Sequence, residues 1–253
     1  MKTIIETMGL CKDYELNGNK QQILKDINIT INEGEYVTIM GPSGSGKSTL
    51  LYQMSGMEKP TKGKVIFDGE YLGDQTEKKL ARLRLDKMGF VFQQHNLLKN
   101  LNLLDNIILG AYHSHKSDHH NIDIRAAELM KKTGIEGIGS KDLTQASGGQ
   151  LQRIAICRAL INQPRILFGD EPTGALNSKA TNEILDILQD INQEGTTVML
   201  VTHDIKVALR SDRIIFISDG RVEGDYVLGR YQSGQDHRQR EEALVRWLDQ
   251  QGF

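Results

Sequence analysis

A glycine-rich segment at positions 41–48 constrains this chain more than any other stretch. It reads Gly-Pro-Ser-Gly-Ser-Gly-Lys-Ser and fits the pattern G-x-x-x-x-G-K-[ST] at every fixed position. Glycines allow successive backbone N–H groups to converge on one concavity that holds phosphate oxygens. In this pattern Lys47 reaches the outer phosphates of a nucleotide, and the Ser48 hydroxyl binds a magnesium ion.

The residues on either side support a phosphate-binding loop over a chance match in a glycine-rich turn. Tyr36–Met40 has the composition of a buried strand, and Thr49–Met57 that of a helix. A helix that begins at the loop adds the positive end of its dipole to the phosphate site. The order of strand, loop and helix is the context that the pattern requires.

Composition narrows the class of protein. The chain has 253 residues, which allows one large or two-lobed domain but not two full nucleotide-binding domains. The formal net charge of -2 provides no basic field, so we expect no nucleic-acid partner. The chain shows neither an apolar run long enough to span a bilayer nor a signal-peptide pattern, and its two cysteines form no disulfide framework. These features predict a soluble protein of a reducing compartment.

Strand and helix patterns alternate along the chain and predict an α/β fold with a parallel sheet. Helical periodicity replaces strand signals between positions 96 and 163, which suggests an inserted helical lobe. The other predicted helices are 76–85, 178–192 and 238–251. The predicted strands are 27–31, 36–40, 64–67, 88–92, 165–169, 197–201 and 213–218.

One predicted strand ends in two carboxylates. The apolar stretch that begins at Arg165 runs directly into Asp170 and Glu171. Asp170 can support a magnesium shell, and Glu171 can polarise a water for attack on a γ-phosphate. A plain strand end at the protein surface is the alternative for this segment.

Three further segments are consistent with nucleotide chemistry, and two of them also have a simpler explanation. Residues 146–150, Ala-Ser-Gly-Gly-Gln, open a predicted helix and form a second anion-binding N-terminus, or Ser147 is only an N-cap. His203 ends a strand and can donate to a γ-phosphate, or it is structural. Gln93 lies where strand meets helical lobe and can ligate metal or water.

In combination and order, these motifs resemble the ATP-binding cassette (ABC) ATPases from about Ile4 to Gly224. The resemblance implies ATP and Mg²⁺ as ligands, and it implies catalytic roles for Glu171, His203, Lys47 and Gln93. It assigns the metal to Ser48, Gln93 and Asp170. The implied nucleotide-binding residues are Tyr14, Gly41, Pro42, Ser43, Gly44, Ser45, Gly46, Lys47, Ser48, Thr49, Ser147, Gly148, Gly149 and Gln150.

The resemblance also implies a fold and a division of the chain. The fold is a P-loop NTPase of the ABC type, with a mixed or parallel core sheet, an antiparallel β subdomain and an inserted helical lobe. The cassette covers residues 1–225, with a core lobe at 1–92 and 164–225 and a helical lobe at 93–163. A C-terminal helical extension covers residues 226–253.

Three positions qualify the resemblance. Tyr14 lies where the family places an aromatic residue that stacks on adenine, although an ordinary strand-edge tyrosine is the alternative. The family's signature motif corresponds to residues 146–150. It begins with Ala146 instead of leucine, which predicts a modest loss of packing. The D-loop, residues 174–177, ends in Asn177 instead of aspartate, and this puts the usual charged contact across the dimer in doubt.

Residues 90–98, 148–153 and 171–179 look like the lipoprotein-release, macrolide-efflux and antimicrobial-peptide-resistance branch. This likeness implies an ATP-hydrolysing subunit that pairs head to tail with a second copy. It also implies a separate membrane permease, and therefore a peripheral place on the cytoplasmic face of the membrane. An ABC ATPase that signals to an envelope or cell-division complex is the alternative. Two-cassette translation factors and coiled-coil DNA-maintenance proteins do not fit the length of the chain or the spacing of its motifs.

Three other features have two interpretations each. The leucines at 97, 98, 101, 103 and 104 are core residues or part of a groove for the permease. His113, His115, His119 and His120 lie in a solvated loop or bind a metal. Leu244, Trp247 and Leu248 share one face of the C-terminal helix, which packs on its own domain or on a partner.

Overall fold

The structure is a computed structural model that describes residues 2–16, 18–114, 119–232 and 237–253. It divides into two compact units. The first unit comprises Met1–Leu80 and Thr197–Phe253, and the second unit comprises Ala81–Thr196. The strands are β1 (Thr3–Leu16), β2 (Asn19–Asn32), β3 (Tyr36–Met40), β4 (Lys62–Phe67), β5 (Glu70–Tyr71), β6 (Met88–Phe92), β7 (Ile166–Asp170), β8 (Thr197–Val201), β9 (Arg213–Ser218) and β10 (Arg221–Val227). The helices are α1 (Lys47–Met54), α2 (Glu77–Lys87), α3 (Leu103–His113), α4 (His119–Lys132), α5 (Gly148–Leu160), α6 (Ser178–Gln193), α7 (Ile205–Ala208) and α8 (His237–Gln250), with short 3-10 turns at Leu72–Asp74 and Leu143–Gln145.

The first unit contains strands of two kinds. Four of them form an antiparallel sheet in the order β2-β1-β4-β5. The others lie in the order β10-β9-β3-β8, with β3 parallel to both β9 and β8. All five residues of β3 are buried, as expected for an apolar, β-branched run with parallel neighbours on both sides.

The second unit is mainly helical. Its strands β6 and β7 pair in parallel, with Met88 opposite Ile166 and Phe92 opposite Asp170. Between positions 96 and 163 the described residues contain α3, α4 and α5 and no strand, which confirms the predicted change of structure. The α/β class, the parallel strands and the antiparallel sheet are therefore confirmed, whereas the proposed boundaries of the two lobes stay a prediction.

None of the helices in the described ranges combines the length and the apolar character that crossing a membrane requires.

The C-terminal helix α8 packs on the first unit. Leu244 and Leu248 are fully buried in a cluster with Met40 and Phe216. The Trp247 ring lies edge-on to Phe216, with 6.3 Å between the ring centroids. The chain itself therefore covers the apolar face of α8, which favours packing on its own domain over docking on a partner.

One arginine of α8 fixes the helix to the preceding loops. The Arg240 guanidinium donates hydrogen bonds to four backbone carbonyls, those of Leu209, Ser211, Leu228 and Gly229. These carbonyls lie at the end of α7 and after β10. The planar group satisfies several acceptors at once, so it sets the orientation of α8 as well as its position.

We expect Leu244→Ala to lower the free energy of unfolding by about 2–5 kcal/mol, the range for a leucine truncated in a closed core. Urea denaturation monitored by Trp247 fluorescence measures this change. Arg238→Ala is the control on the same helix, because the Arg238 side chain is 83% exposed and its ion pair with Glu242 lies at the surface. A loss below about 0.5 kcal/mol for Leu244→Ala, a typical surface value, would contradict the docking of α8.

Candidate functional site

The phosphate loop lies between β3 and α1 in the first unit, and its backbone requires glycine. A Cβ atom at Gly41 would lie 2.0 Å from the carbonyl oxygen of Ile217, inside van der Waals contact. Gly46 is the N-cap of α1 and has a φ of 101°, a conformation that L-residues avoid. Pro42, Ser43 and Gly44 are exposed, so the loop opens to solvent.

The polar side chains of the loop suit an anionic ligand. The Lys47 side chain is buried, and its ammonium group donates to the carbonyls of Gly41 (2.9 Å) and Pro42 (2.7 Å). The Ser45 hydroxyl is buried and finds no hydrogen-bond partner among the residues that the structure describes. The first backbone hydrogen bond of α1 runs from Leu50 to Gly46, so the positive end of the helix dipole lies at the loop. A buried cation and an unpartnered hydroxyl in a glycine-built concavity fit a phosphate group.

Tyr14, the predicted adenine platform, is held firmly by its neighbours. Its hydroxyl donates to the Glu58 carboxylate at 2.6 Å, and the Lys12 ammonium lies 4.9 Å from the ring centroid. Burial, together with the adjacent Glu58 carboxylate, raises the pKa of Tyr14 to about 12. The phenol therefore stays neutral at physiological pH, and its stacking on adenine stays a prediction.

His203 follows β8, at the same sheet edge as the start of the phosphate loop. The Thr202 amide donates to the Ile39 carbonyl at 3.1 Å, which continues the parallel pairing of β3 and β8 up to this edge. The His203 side chain is exposed. Within the first unit, the structure thus brings the histidine and the phosphate loop to one edge of the sheet.

In the second unit, Gln93 and Asp170 lie side by side. They stand at the carboxyl ends of the paired strands β6 and β7, and the Gln93 amide donates to the Asp170 carbonyl at 3.0 Å. A Cβ atom at Gly174 would lie 3.0 Å from Gln93 Nε2, so the Gln93 carboxamide lies against the turn after Glu171. Gln93 and Asp170 carry the side-chain oxygens that Mg²⁺ prefers, and Glu171, the predicted general base, directly follows Asp170.

Glu171 has a strained backbone. Its φ is 47°, in the left-handed region, where a non-glycine residue costs about 1–2 kcal/mol. Its carbonyl accepts a hydrogen bond from the Gly174 amide at 3.1 Å and closes a tight turn. Strain of this kind concentrates at functional sites, and here it lies at the residue that the sequence predicts as the general base.

The signature motif opens α5 with a capping box. The Ser147 hydroxyl accepts from the Gln150 amide at 3.3 Å, and the Gln150 side chain accepts from the Ser147 amide at 2.9 Å. Ser147 is therefore an N-cap, as the simpler explanation predicted. The motif also faces an open cleft of about 480 Å³ that it shares with D-loop residues 175–177. A helix N-terminus on an open cleft is compatible with an anionic ligand as well.

Asn177, which replaces the aspartate usual in the family, keeps a structural role at the start of α6. Asn177 is the N-cap of α6, and its side-chain oxygen accepts from the Ala180 amide at 2.9 Å. Asparagine and aspartate cap helices about equally well. The replacement therefore removes a charge from the cleft without removing the cap.

We expect Asn177→Asp to change the free energy of unfolding by less than about 0.5 kcal/mol, because the cap is kept. The ATPase rate should change by less than about tenfold, since a charge-assisted hydrogen bond exceeds a neutral one by about 1 kcal/mol. Thermal unfolding and steady-state ATPase assays measure both quantities. Asn177→Ala, which loses the cap, should cost about 1 kcal/mol. A rate change well above tenfold for Asn177→Asp would mean that the missing charge is part of the chemistry.

Sequence reasoning missed Gln152, a buried glutamine on α5. Its side chain is 1% exposed and donates to the Pro172 carbonyl at 2.6 Å and to the Phe92 carbonyl at 3.4 Å. The sequence did contain a signal for this residue. Gln152 is a polar residue at helical spacing from the apolar Ile156 and Ala159, and all three are buried on one face of α5.

The structure bears on two groups for which the sequence left two interpretations, the leucines at 97–104 and the histidines at 113–120. Leu103 is fully buried and belongs to the core, whereas Leu98 is 46% exposed. His113 is the last residue of α3, and the backbone of His119 and His120 opens α4, so these three residues are helical where the sequence predicted a loop. His115 and the side chains of His119 and His120 lie outside the described residues, and the predicted metal site lies there too. Among the residues that the structure describes, no group of His, Cys, Asp and Glu has the geometry to hold a metal ion.

Comparison with known proteins agrees with this geometry. The family model for ABC transporters matches residues 24–174. An uncharacterised ABC transporter ATP-binding protein of Methanocaldococcus jannaschii, MJ0796, is 43% identical over 87% of this chain and 95% of its own length. A solved structure of that cassette, a dimer in a post-hydrolysis state bound to ADP and Pi, has a TM-score of 0.84 and covers 90% of this chain and 100% of its own.

The relatives include a component of a lipoprotein-releasing system and a macrolide export protein. The lipoprotein-releasing system ATP-binding protein LolD 1 of Chlorobium chlorochromatii is 40% identical over 88% of this chain and 92% of its own length. The macrolide export ATP-binding/permease protein MacB of Bdellovibrio bacteriovorus is 41% identical over 88% of this chain, which spans only 34% of that relative. The family match and the near full-length relatives show that the chain belongs to the ABC transporter family, as an ATP-binding cassette.

Proposed function

We propose that this chain is the ATP-hydrolysing subunit of an ABC transporter and drives a separate membrane permease. The observation that carries the proposal is the phosphate loop, in which Gly41 packs against Ile217 and the buried Lys47 ammonium faces the loop. Two copies pair head to tail. Each ATP lies between the phosphate loop of one copy and residues 147–150 of the other, so that binding closes the pair and hydrolysis reopens it.

Each site residue has a role in this proposal. Residues 41–49 hold the phosphates, and Tyr14 stacks on adenine. Glu171 polarises the attacking water, and His203 donates to the γ-phosphate. Ser48, Gln93 and Asp170 would hold Mg²⁺, which neutralises the phosphate charge that develops during the reaction.

The proposal also locates the chain. The core lobe at 1–92 and 164–225 binds ATP, the helical lobe at 93–163 receives the permease, and the extension at 226–253 supports the core lobe. The permease holds the chain on the cytoplasmic face of the membrane. The names of LolD and MacB, which describe ATP-binding components of release and export systems, support this assignment.

Purified chain should hydrolyse ATP only with Mg²⁺, and it should elute as a dimer in ATP and as a monomer without nucleotide. Co-expression with the membrane protein encoded beside it should yield a complex. Lys47→Ala should lose ATP binding, because the cation that reaches the outer phosphates is gone. A chain that neither binds nor hydrolyses ATP would contradict the enzymatic assignment. A chain that hydrolyses ATP but pairs with no membrane protein would contradict the transport assignment alone.

A further inference from the structure

Gln152 joins three segments of the second unit. It lies near the start of α5, and its carboxamide donates to the carbonyls of Phe92 and Pro172. Phe92 is the last residue of β6 and precedes Gln93, and Pro172 follows Glu171. One buried side chain therefore holds both segments that carry predicted catalytic residues against the helix that begins at the signature motif.

Backbone hydrogen bonds also join the two segments that Gln152 contacts, the end of β6 and the turn after β7. The Gln93 amide donates to the Asp170 carbonyl, and the Glu171 carbonyl closes a turn with the Gly174 amide. Glu171 keeps a left-handed backbone, which persists only where neighbouring contacts impose it. The 2.6 Å hydrogen bond to Pro172 acts on the residue directly after this strained position.

Further contacts hold the helix that carries Gln152 in place at the same end. The capping box of Ser147 and Gln150 fixes its first turn. Arg153 donates to the Thr133 carbonyl and forms an ion pair with Glu183 on α6. A shift of Ser147 therefore moves Gln152 with it, because both belong to the first two turns of one packed helix.

We propose that Gln152 is a positioning residue that couples the signature motif to Glu171 of the same chain. The inference rests on the proposed function, in which residues 147–150 contact the ATP bound by the second copy while Glu171 acts on the ATP bound by its own chain. Closure of one composite site then sets the position of the base in the other. Gln152 thus provides a physical link between the two ATP sites of the pair.

The chemistry of the side chain supports this role. The two contacts need an N–H donor at the end of a side chain of this length, and the glutamine amide provides two such donors. Methionine has nearly the same length and shape and donates no hydrogen bond. Gln152→Met therefore removes the link and leaves the core packing almost unchanged.

The test compares Gln152→Met with Gln189→Met in the full-length chain. Gln189 is a second buried glutamine, 6% exposed, on α6 of the same unit, and its side-chain oxygen accepts no hydrogen bond from the described part of the chain. For Gln152→Met we expect kcat to fall by about 10- to 100-fold, because small misplacements of a catalytic group cost this much. KM and the affinity for ATP should stay within about threefold, since the phosphate loop is untouched. The Hill coefficient for ATP should fall toward one, and Gln189→Met should change none of these values.

Three outcomes would overturn the inference. They are a kcat and Hill coefficient equal to those of Gln189→Met, a raised KM with unchanged kcat, and a fall in activity that only tracks a lower melting temperature. If Gln152→Met does not fold, Gln152→Asn, which keeps the amide but is one methylene too short, replaces it with the same expectations. A wild-type chain without ATP-dependent pairing or hydrolysis would instead refute the proposed function itself.

Discussion

Glu171→Gln should lower the ATPase rate by about 10²- to 10⁴-fold, the usual cost of losing a general base, and should leave ATP binding intact. The amide keeps the size and most of the hydrogen bonding of the carboxylate, but it cannot polarise the attacking water. The turn from Glu171 to Gly174 is held by backbone atoms, so the left-handed conformation should survive the substitution. Because ATP still binds and is not hydrolysed, the variant should accumulate as an ATP-bound dimer.

Size-exclusion chromatography with and without ATP, together with single-turnover hydrolysis, measures both effects. Glu194→Gln is a matched control, since the Glu194 side chain is 65% exposed and pairs with Lys132 at the surface. The control should hydrolyse ATP at the wild-type rate. Turnover of Glu171→Gln within about threefold of wild type would remove Glu171 from the chemistry, because a missing base costs far more.

Segments with strong local signals were predicted closely. Helix α6 was expected at 178–192 and is found at Ser178–Gln193, because its start is capped by Asn177 and its apolar face is regular. Helix α1 was expected at 49–57 and ends earlier, at Met54. Gly56 takes a φ of 65° and the Met57 amide donates to the Tyr52 carbonyl, which is the pattern that closes a helix at glycine. The Gly56 signal was present in the sequence and should have moved the predicted end.

Contacts between distant parts of the chain were beyond sequence reasoning. The role of Gln152 is visible only in the folded chain, where its side chain donates hydrogen bonds to the carbonyls of Phe92 and Pro172. Arg240 likewise contacts carbonyls up to 31 positions away, and no local pattern identifies them. The residue types that the phosphate chemistry requires follow from the motifs, whereas the side chains that hold those residues in place depend on tertiary packing.

Gly41→Ala should weaken ATP binding by about 100-fold or more, the scale on which a displacement of about 1 Å is felt. Its Cβ would lie 2.0 Å from the Ile217 carbonyl oxygen and 2.9 Å from the Ser45 hydroxyl. Ile217 belongs to β9, which pairs with β3 just before the loop, so the oxygen cannot move without breaking the sheet. The loop must therefore shift away from β9, and the concavity that receives the phosphates opens.

Gly69→Ala is the control that separates the steric clash at Gly41 from the cost of placing alanine in a left-handed backbone conformation. Gly69 has a φ of 80° in the turn between β4 and β5. Apart from the two chain neighbours of Gly69, no heavy atom of the described residues lies within 4 Å of the position that a Cβ atom would take there. The control should lose about 1–2 kcal/mol of unfolding free energy from the left-handed conformation and should bind ATP normally. Titration with a fluorescent ATP analogue and urea denaturation measure the two quantities for both variants. Normal ATP affinity in Gly41→Ala would show that the close approach to β9 does not shape the phosphate site.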